Sequence, residues 1–484
     1  MTEVRPTAPD VAYGRWSPRR RKHVRPQRIV VALMAIALLV AGCGRDSGST
    51  GTEETGGGGS TPAASGNFGD LTGVCKPGNA KSASAQGVTG SEIEVGLVSD
   101  IGFTKNPDFV DAAKVFTSWC NAAGGINGRK IVTNLRDTKL TEVRQRMLES
   151  CREDFFLVGG GAALDGLGVK DRLGCLLPEF PAQVAQTANT GSDLQLSYGS
   201  SAAEGVNPYS GFQDWLINEA YPGSKGSVGM ITGDSPITKV MGDKMTESLT
   251  AAGATISYSD LYPIAGVSDW TPYAQAIKAK GVKGLIYFGD FRYLAKLEDT
   301  LTSMNYKLDW IDANANSYNQ TFLDGAKSSL GTQNNVLDMS GTAPLDAANV
   351  PAIKQLKDLF GQYAPGSPIT FQVLRAFQSW LLFAKSATSC GDDLTRACVY
   401  NAAKKETAWT GGGLQAPLDL SRPQSEQTRC FNVQQATPAG WQTTNFTPNT
   451  NGIFRCGFTA YKYTQDFGKA TTLADVGKSI DDLK

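Results

Sequence analysis

Histidine is almost missing from this chain: the 484 residues hold one, His23. Net charge is missing as well, with 46 Lys and Arg against 46 Asp and Glu. There is thus none of the basic excess that marks a nucleic-acid binder, and none is expected as a partner. No Cys-x-x-Cys pair occurs among the nine cysteines, which argues against a zinc ribbon or a dithiol redox motif. No short-period repeat is visible, so a solenoid is not expected. Only one stretch is apolar enough to suggest a membrane, residues 29–41 (IVVALMAIALLVA). As a helix at ~1.5 Å per residue it spans about 20 Å, short of the ~30 Å hydrocarbon core.

That stretch follows Arg15, Arg19, Arg20, Arg21, Lys22, Arg25 and Arg28. A basic n-region and a short apolar h-region are the parts of a secretory signal peptide, here residues 1–42. The run ends Leu39-Val40-Ala41-Gly42-Cys43, which resembles the lipobox of bacterial lipoproteins. The resemblance implies that the Cys43 thiol takes the lipid and holds the protein to the outer face of the cell membrane. A Gly/Ser/Thr/Glu segment with Gly56, Gly57, Gly58 and Gly59 follows; such composition reads as a flexible tether, and residues 43–90 are assigned to the lipidated cysteine and tether. Losing residues 1–42 removes eight Lys and Arg, two acids and the histidine, leaving a formal charge of −6. Ser-His-Asp and Cys-His nucleophilic sites and imidazole metal sites are then excluded. No cofactor or metal is expected.

Eight cysteines remain, and an even number outside the cytoplasm favours four disulfides. Cys390 and Cys398 flank a Gly-Asp-Asp turn, and Cys430 and Cys456 flank the last folded segment. For the other four, Cys75–Cys120 with Cys151–Cys175 is one of three connectivities.

From Ile93 the chain alternates strand and helix, and its length leaves room for about three domains or lobes. IEVGLVSD, residues 130–135, FFLV at 155–158, GSVGMIT at 226–232 and GLIYFG at 284–289 read as strands. Helices are expected over 108–121, 141–151, 239–252, 293–304 and 371–386. This spacing predicts α/β architecture with parallel sheets covered by helices. In such sheets ligands bind beyond the carboxyl ends of the strands. Those ends carry Asp100, Phe103 and Thr104; Gly160, Gly161 and Ala162; Asp234; Asp290 and Phe291; and Asp312 to Asn316. Trp215 and Trp380 lie in apolar-periodic helices and are expected in the core. Residues 392–396 read as a solvated helix start.

Asn121-Ala122-Ala123-Gly124-Gly125-Ile126-Asn127-Gly128-Arg129-Lys130 resembles a stretch of the type I periplasmic binding proteins, the leucine/isoleucine/valine-binding class. The Gly-Gly pair stops a helix at φ > 0 and Asn-Gly starts a tight turn. The resemblance implies two Rossmann-like lobes joined by crossover hinge segments. It places lobe 1 at 91–207 and 339–405, and lobe 2 at 208–338, completed by 406–484 with the C-terminal tail. It further implies a monomeric, non-enzymatic subunit of an ABC importer that captures a small polar or amphipathic solute by lobe closure and delivers it to permease subunits. Amino acids, amides and organic acids are the solute classes. The positions it brings to the ligand are Phe103, Thr104, Gly161, Ala162, Gln183, Asp234, Asp290, Phe291 and Asn314. The chain departs from the amino-acid pattern: Gly160-Gly161-Ala162-Ala163-Leu164 replaces a Ser/Thr-rich run, Gly233-Asp234-Ser235 has no tyrosine after it, and Asn314 stands where an acid pairs with the ammonium. Asp290 either takes over that role or caps a helix. A sensor module of the same fold, or a glycosidase using Asp290 and Asp312, are the alternatives.

Overall fold

The computed structural model describes residues 65–197, 205–444 and 446–484. The signal segment, Cys43 and the tether as far as residue 64 lie outside the described residues. Among the described residues no helix is long and apolar enough to cross a membrane.

The first lobe is built on β1 (Glu92–Ser99), β2 (Lys130–Asp137), β3 (Phe156–Val158) and β4 (Glu179–Phe180). They pair in the order β2-β1-β3-β4, all parallel. β1 is buried on both faces from Val95 onward, as a central parallel strand covered by helices must be. The second lobe starts after β5 (Val206–Asn207) and contains β6 (Val228–Asp234), β7 (Ile256–Pro263), β8 (Gly284–Phe288), β9 (Trp310–Asp312) and β10 (Asn335–Asp338). After the short β11 (Cys430–Phe431), a hairpin of β12 (Val433–Thr437) and β13 (Gly440–Thr443) completes its sheet. The order is β13-β12-β10-β9-β8-β6-β7. Five strands are parallel, and β12 joins β10 antiparallel. Finally, β14 (Arg455–Cys456) pairs with β11, and β15 (Tyr461–Lys462) with β5.

The helix Phe371–Ser389 is buried on nearly all sides and carries the first lobe's core. Phe377, Trp380 and Phe383 meet Phe68, Phe116, Phe155 and Phe156 across ring separations of 5.1 to 6.5 Å. Trp215 is buried in the second lobe with Phe212 and Phe446. Disulfides join Cys75 to Cys120, Cys151 to Cys175, Cys390 to Cys398 and Cys430 to Cys456.

The Gly-Gly-Ile-Asn-Gly turn ends the helix Asp108–Ala122, with Gly124 and Gly125 at φ 104° and 72°. A Cβ on Gly125 would stand 2.0 Å from the Arg129 carbonyl oxygen, so the backbone closes on itself there only because no side chain intervenes. Arg129 is fully buried and donates to the carbonyls of Thr89, Ser82 and Asp392 at 2.8, 3.1 and 2.8 Å. It is a clamp that ties three segments of the first lobe.

Two boundaries differ from the sequence reading. Residues 65–90, assigned above to the tether, pack on the first lobe: Phe68, Val74 and Val88 are buried, Cys75 is bonded to Cys120, and Lys76 donates to the Gly125 carbonyl at 2.8 Å. Their apolar residues are sparse, but each enters a core supplied by distant sequence. The tail leaves the second lobe and returns to the first, where Leu473 and Leu483 are buried and Ala397 donates to the Lys484 carbonyl. Residues 392–396 are also more than a solvated start. The Asp392 carboxylate accepts from the backbone N–H groups of Lys81 and Ser82, and Arg396 donates to the Phe155 and Asp154 carbonyls.

Candidate ligand-binding cleft

A cavity of about 690 Å³ lies between the lobes. One wall is the first-lobe loop of residues 182–190, with Leu167 at its rim. The opposite wall is the first half of the helix Pro236–Ala251, with Phe288 and Gly289 behind it. Residues 206–209, where the chain enters the second lobe, and 314–316, the segment that follows β9, also line it, together with Phe371, Gln372 and Arg375. Tyr463 from the C-terminal segment completes the lining.

Each wall is set by local chemistry. Buried Asp165 pins the 182–190 loop, accepting from Ala185 N at 2.8 Å, Gln186 N at 2.9 Å and Asn189 Nδ2 at 3.1 Å. Burial pushes its carboxyl up to about 7, because charge is disfavoured away from water. The helix Pro236–Ala251 starts with Ser235 accepting from Thr238 N at 3.2 Å and proline at its first position, an N-terminus of the preferred kind. Thr370 caps the helix Phe371–Ser389 through Val373 N and donates to the Asp108 carboxylate at 2.8 Å. Gln372 donates to the Asn316 side-chain oxygen, joining a first-lobe helix to the segment that follows β9. Burial raises the Asp312 carboxyl to about 7 and Asp338 well above its usual range. Burial likewise moves the Tyr209 phenol up to about 12, so it stays a neutral hydrogen-bonding group. The walls are mainly aliphatic and aromatic. Among the described residues, the charged side chains lining the cavity are Lys244 and Arg375, and no group of three or more His, Cys, Asp or Glu is placed to hold a metal ion.

Of the positions proposed from sequence, Gln183 and Asn314 line the cavity. Gly161 stands directly behind Gln183, where a Cβ would meet the Gln183 Cβ at 2.8 Å. Ala162 is buried against Val98, Leu157 and Leu177. Phe103 is 61% exposed and lies with Thr104 in the short helix Ile101–Thr104; neither is among the lining residues. Asp234 pairs with Lys239 at 2.7 Å. Asp290 caps the helix Phe291–Ser303, accepting from Arg292 N at 2.9 Å and pairing with its guanidinium, which lies over the Phe291 ring. The strand-end carboxylates are thus held by helix starts and neighbouring cations, and the cavity opens to one side of them. Lys244, Arg375, Phe371 and Tyr463 have no strand-end signal; the single arginine of a mainly apolar helix, Arg375, is the one mark in the sequence that points to the cleft.

Residues 177–442 match the family model of a periplasmic binding protein. The chain belongs to the type I periplasmic binding proteins. Solved members of this family share its fold at low identity. The fatty acid ABC transporter substrate-binding protein from Thermomonospora curvata is 18% identical, with a TM-score of 0.63 over 81% of this chain and 97% of that one. The branched-chain amino acid transporter substrate binding protein from Streptococcus pneumoniae, in complex with isoleucine, is 14% identical, with a TM-score of 0.59 over 73% and 98%. A leucine binding protein from Thermotoga maritima is 9% identical, with a TM-score of 0.61 over 73% and 97%. No curated protein sequence matches the chain significantly. As a type I periplasmic binding protein it is a solute-binding protein, and the cavity is lined by residues of both lobes.

Proposed function

We propose that this periplasmic binding protein is the solute-capturing subunit of an ABC importer, exported, lipid-anchored through Cys43 at the outer face of the cell membrane, and monomeric. It binds an amphipathic solute from the amino acid, amide or organic acid classes, closes, and hands it unaltered to permease subunits. The observation that carries this reading is a cavity of about 690 Å³ whose walls come from both lobes, because a ligand touching both walls stabilises the closed state over the open one. Its volume sits in the ~300–1,000 Å³ range of sites for drug-sized ligands. The aliphatic and aromatic walls favour a solute with an apolar body. The solved neighbours named for fatty acid, leucine and isoleucine support transport as the context. The glycosidase alternative needs two carboxylates facing across a cleft; Asp290 is engaged by Arg292 and Asp312 is buried.

A thermal-shift screen of the purified protein with amino acids, amides, aromatic acids, aliphatic acids and sterol-derived acids tests this. A solute at a hundred times its Kd stabilises the folded state by about 2.7 kcal/mol. The expected result is a rise in melting temperature with at least one of these classes, a smaller radius of gyration by X-ray scattering, and recovery of the solute unchanged. No shift with any member, or a chemically altered solute, overturns the reading.

A further inference from the structure

The two cations of the cleft stand in different surroundings. Arg375 is 2% exposed, lies over the Phe371 ring at 5.5 Å and sits near Tyr209. Lys244 is half-buried on the cleft-facing side of the helix Pro236–Ala251. Its ammonium lies 5.6 Å from the ring centroids of both Tyr463 and Phe467, and among the described residues no carboxylate lies within ion-pairing distance of it. The acid one turn along, Glu247, is occupied otherwise: it accepts from Thr464 N at 2.5 Å, Thr464 Oγ1 at 2.9 Å and Tyr461 Oη at 3.0 Å. Those bonds fix the segment that carries Tyr463 and Phe467. The same segment then reaches the first lobe, where Thr471 N donates to the Ala188 carbonyl at 2.9 Å and Leu473 N to the Asp193 carboxylate at 2.7 Å. The C-terminal chain is therefore a strap from one lobe to the other along the cleft, and it lays two aromatic rings on the one lysine of the lining.

Aromatic faces attract a cation but supply no hydrogen-bond acceptor of carboxylate strength. A half-desolvated ammonium so placed has donors left for an incoming anion. Beyond it along the helix lie Val240, Met241 and Met245, Phe288 packs in the same lobe's core with Met245, and across the cleft lies Val184, all apolar. We infer that Lys244, with Tyr463 and Phe467 of the strap, is an anion subsite of the cleft, and that the solute is a monoanionic amphipath: a carboxylate on an apolar body. This rests on the solute-binding reading above and narrows its solute class.

The test uses decanoate, 4-phenylbutyrate and cholate, each beside its neutral primary amide and below its micellar concentration. Affinities are measured calorimetrically, and compaction by X-ray scattering, on the wild type, Lys244→Met, Lys244→Arg and Tyr463→Leu. At least one carboxylate is expected to bind at least tenfold tighter than its amide, since hydrogen bonds to charged groups contribute roughly ten- to hundredfold. Lys244→Met should remove that preference, weakening the carboxylate at least tenfold and the amide far less. Lys244→Arg should retain it, and Tyr463→Leu should weaken it severalfold. Unliganded melting temperatures within a few degrees of wild type show that the variants fold. If an amide binds as tightly as its acid, or Lys244→Met weakens both equally, the anion subsite is refuted while solute binding stands. If no probe binds or compacts the protein, and the wider panel also fails, both readings fall.

Discussion

Asp165 offers the sharpest test of how the cleft wall is held. Its carboxyl is buried and accepts three hydrogen bonds from the 182–190 loop. Burial lifts it from 3.8 to about 7, so the folded state holds a proton that the unfolded chain releases near pH 4. The stability tied to that proton is complete below the unfolded value and is lost as pH rises through about 7. For a single group with these two values, the loss between pH 5 and pH 8 is roughly 2–3 kcal/mol. Asp165→Asn removes the titration, and its amide NH₂ cannot accept from the backbone N–H groups it faces, which costs about 1–3 kcal/mol. The stability gap between wild type and variant should therefore be widest at pH 5 and shrink by roughly 2–3 kcal/mol by pH 8. Asp312, Asp338 and Glu298 are also buried acids with raised pKa values, but they titrate in both proteins and cancel in the difference. Urea unfolding at pH 5, 6, 7 and 8 measures the gap. Hydrogen exchange at the Ala185 and Gln186 amides should accelerate in the variant at every pH. A gap that stays constant across the range refutes the buried, proton-holding carboxyl and, with it, the account of what positions the loop.

Asp290→Ala should lower stability by about 1 kcal/mol through loss of a helix cap and leave solute affinity unchanged by calorimetry; a tenfold loss of affinity would put that carboxylate in contact with the ligand. Replacing Cys75 and Cys120 by serine opens a loop with a sequence separation of 45, worth about 4 kcal/mol in the chain-entropy account. The urea midpoint should fall and residues 76–88 should become open to proteolysis, whereas an unchanged midpoint would mean that residues 65–90 are held without the bond.

The fold was legible because its signals are local. The β-branched run at Ile93 becomes β1, and the Gly-Gly-Ile-Asn-Gly turn stops its helix at positive φ as those residues dictate. The helix Phe371–Ser389 announces its burial by composition. β7 was not anticipated: its Ile-Ser-Tyr-Ser-Asp-Leu-Tyr-Pro is largely polar and half-exposed, at the edge of the sheet. Residues 65–90 read as tether because Phe68, Val74 and Val88 are isolated among polar residues; only tertiary contact gives them a core. The cleft was less legible still. Lys244 is one of two lysines on its helix, and nothing near it in sequence points to Tyr463. Asp234 and Asp290 sit at strand ends, yet a strand end is also a helix start, and there the carboxylates satisfy backbone N–H groups and neighbouring cations.

The C-terminal crossing also sets how far the jaws can gape. Thr464 is anchored to the second lobe by Glu247, and Thr471 to the first by Ala188. The short run between them reaches roughly 25 Å when pulled straight. With both anchors intact, that side of the molecule works as a leash that limits how far the two lobes can part there.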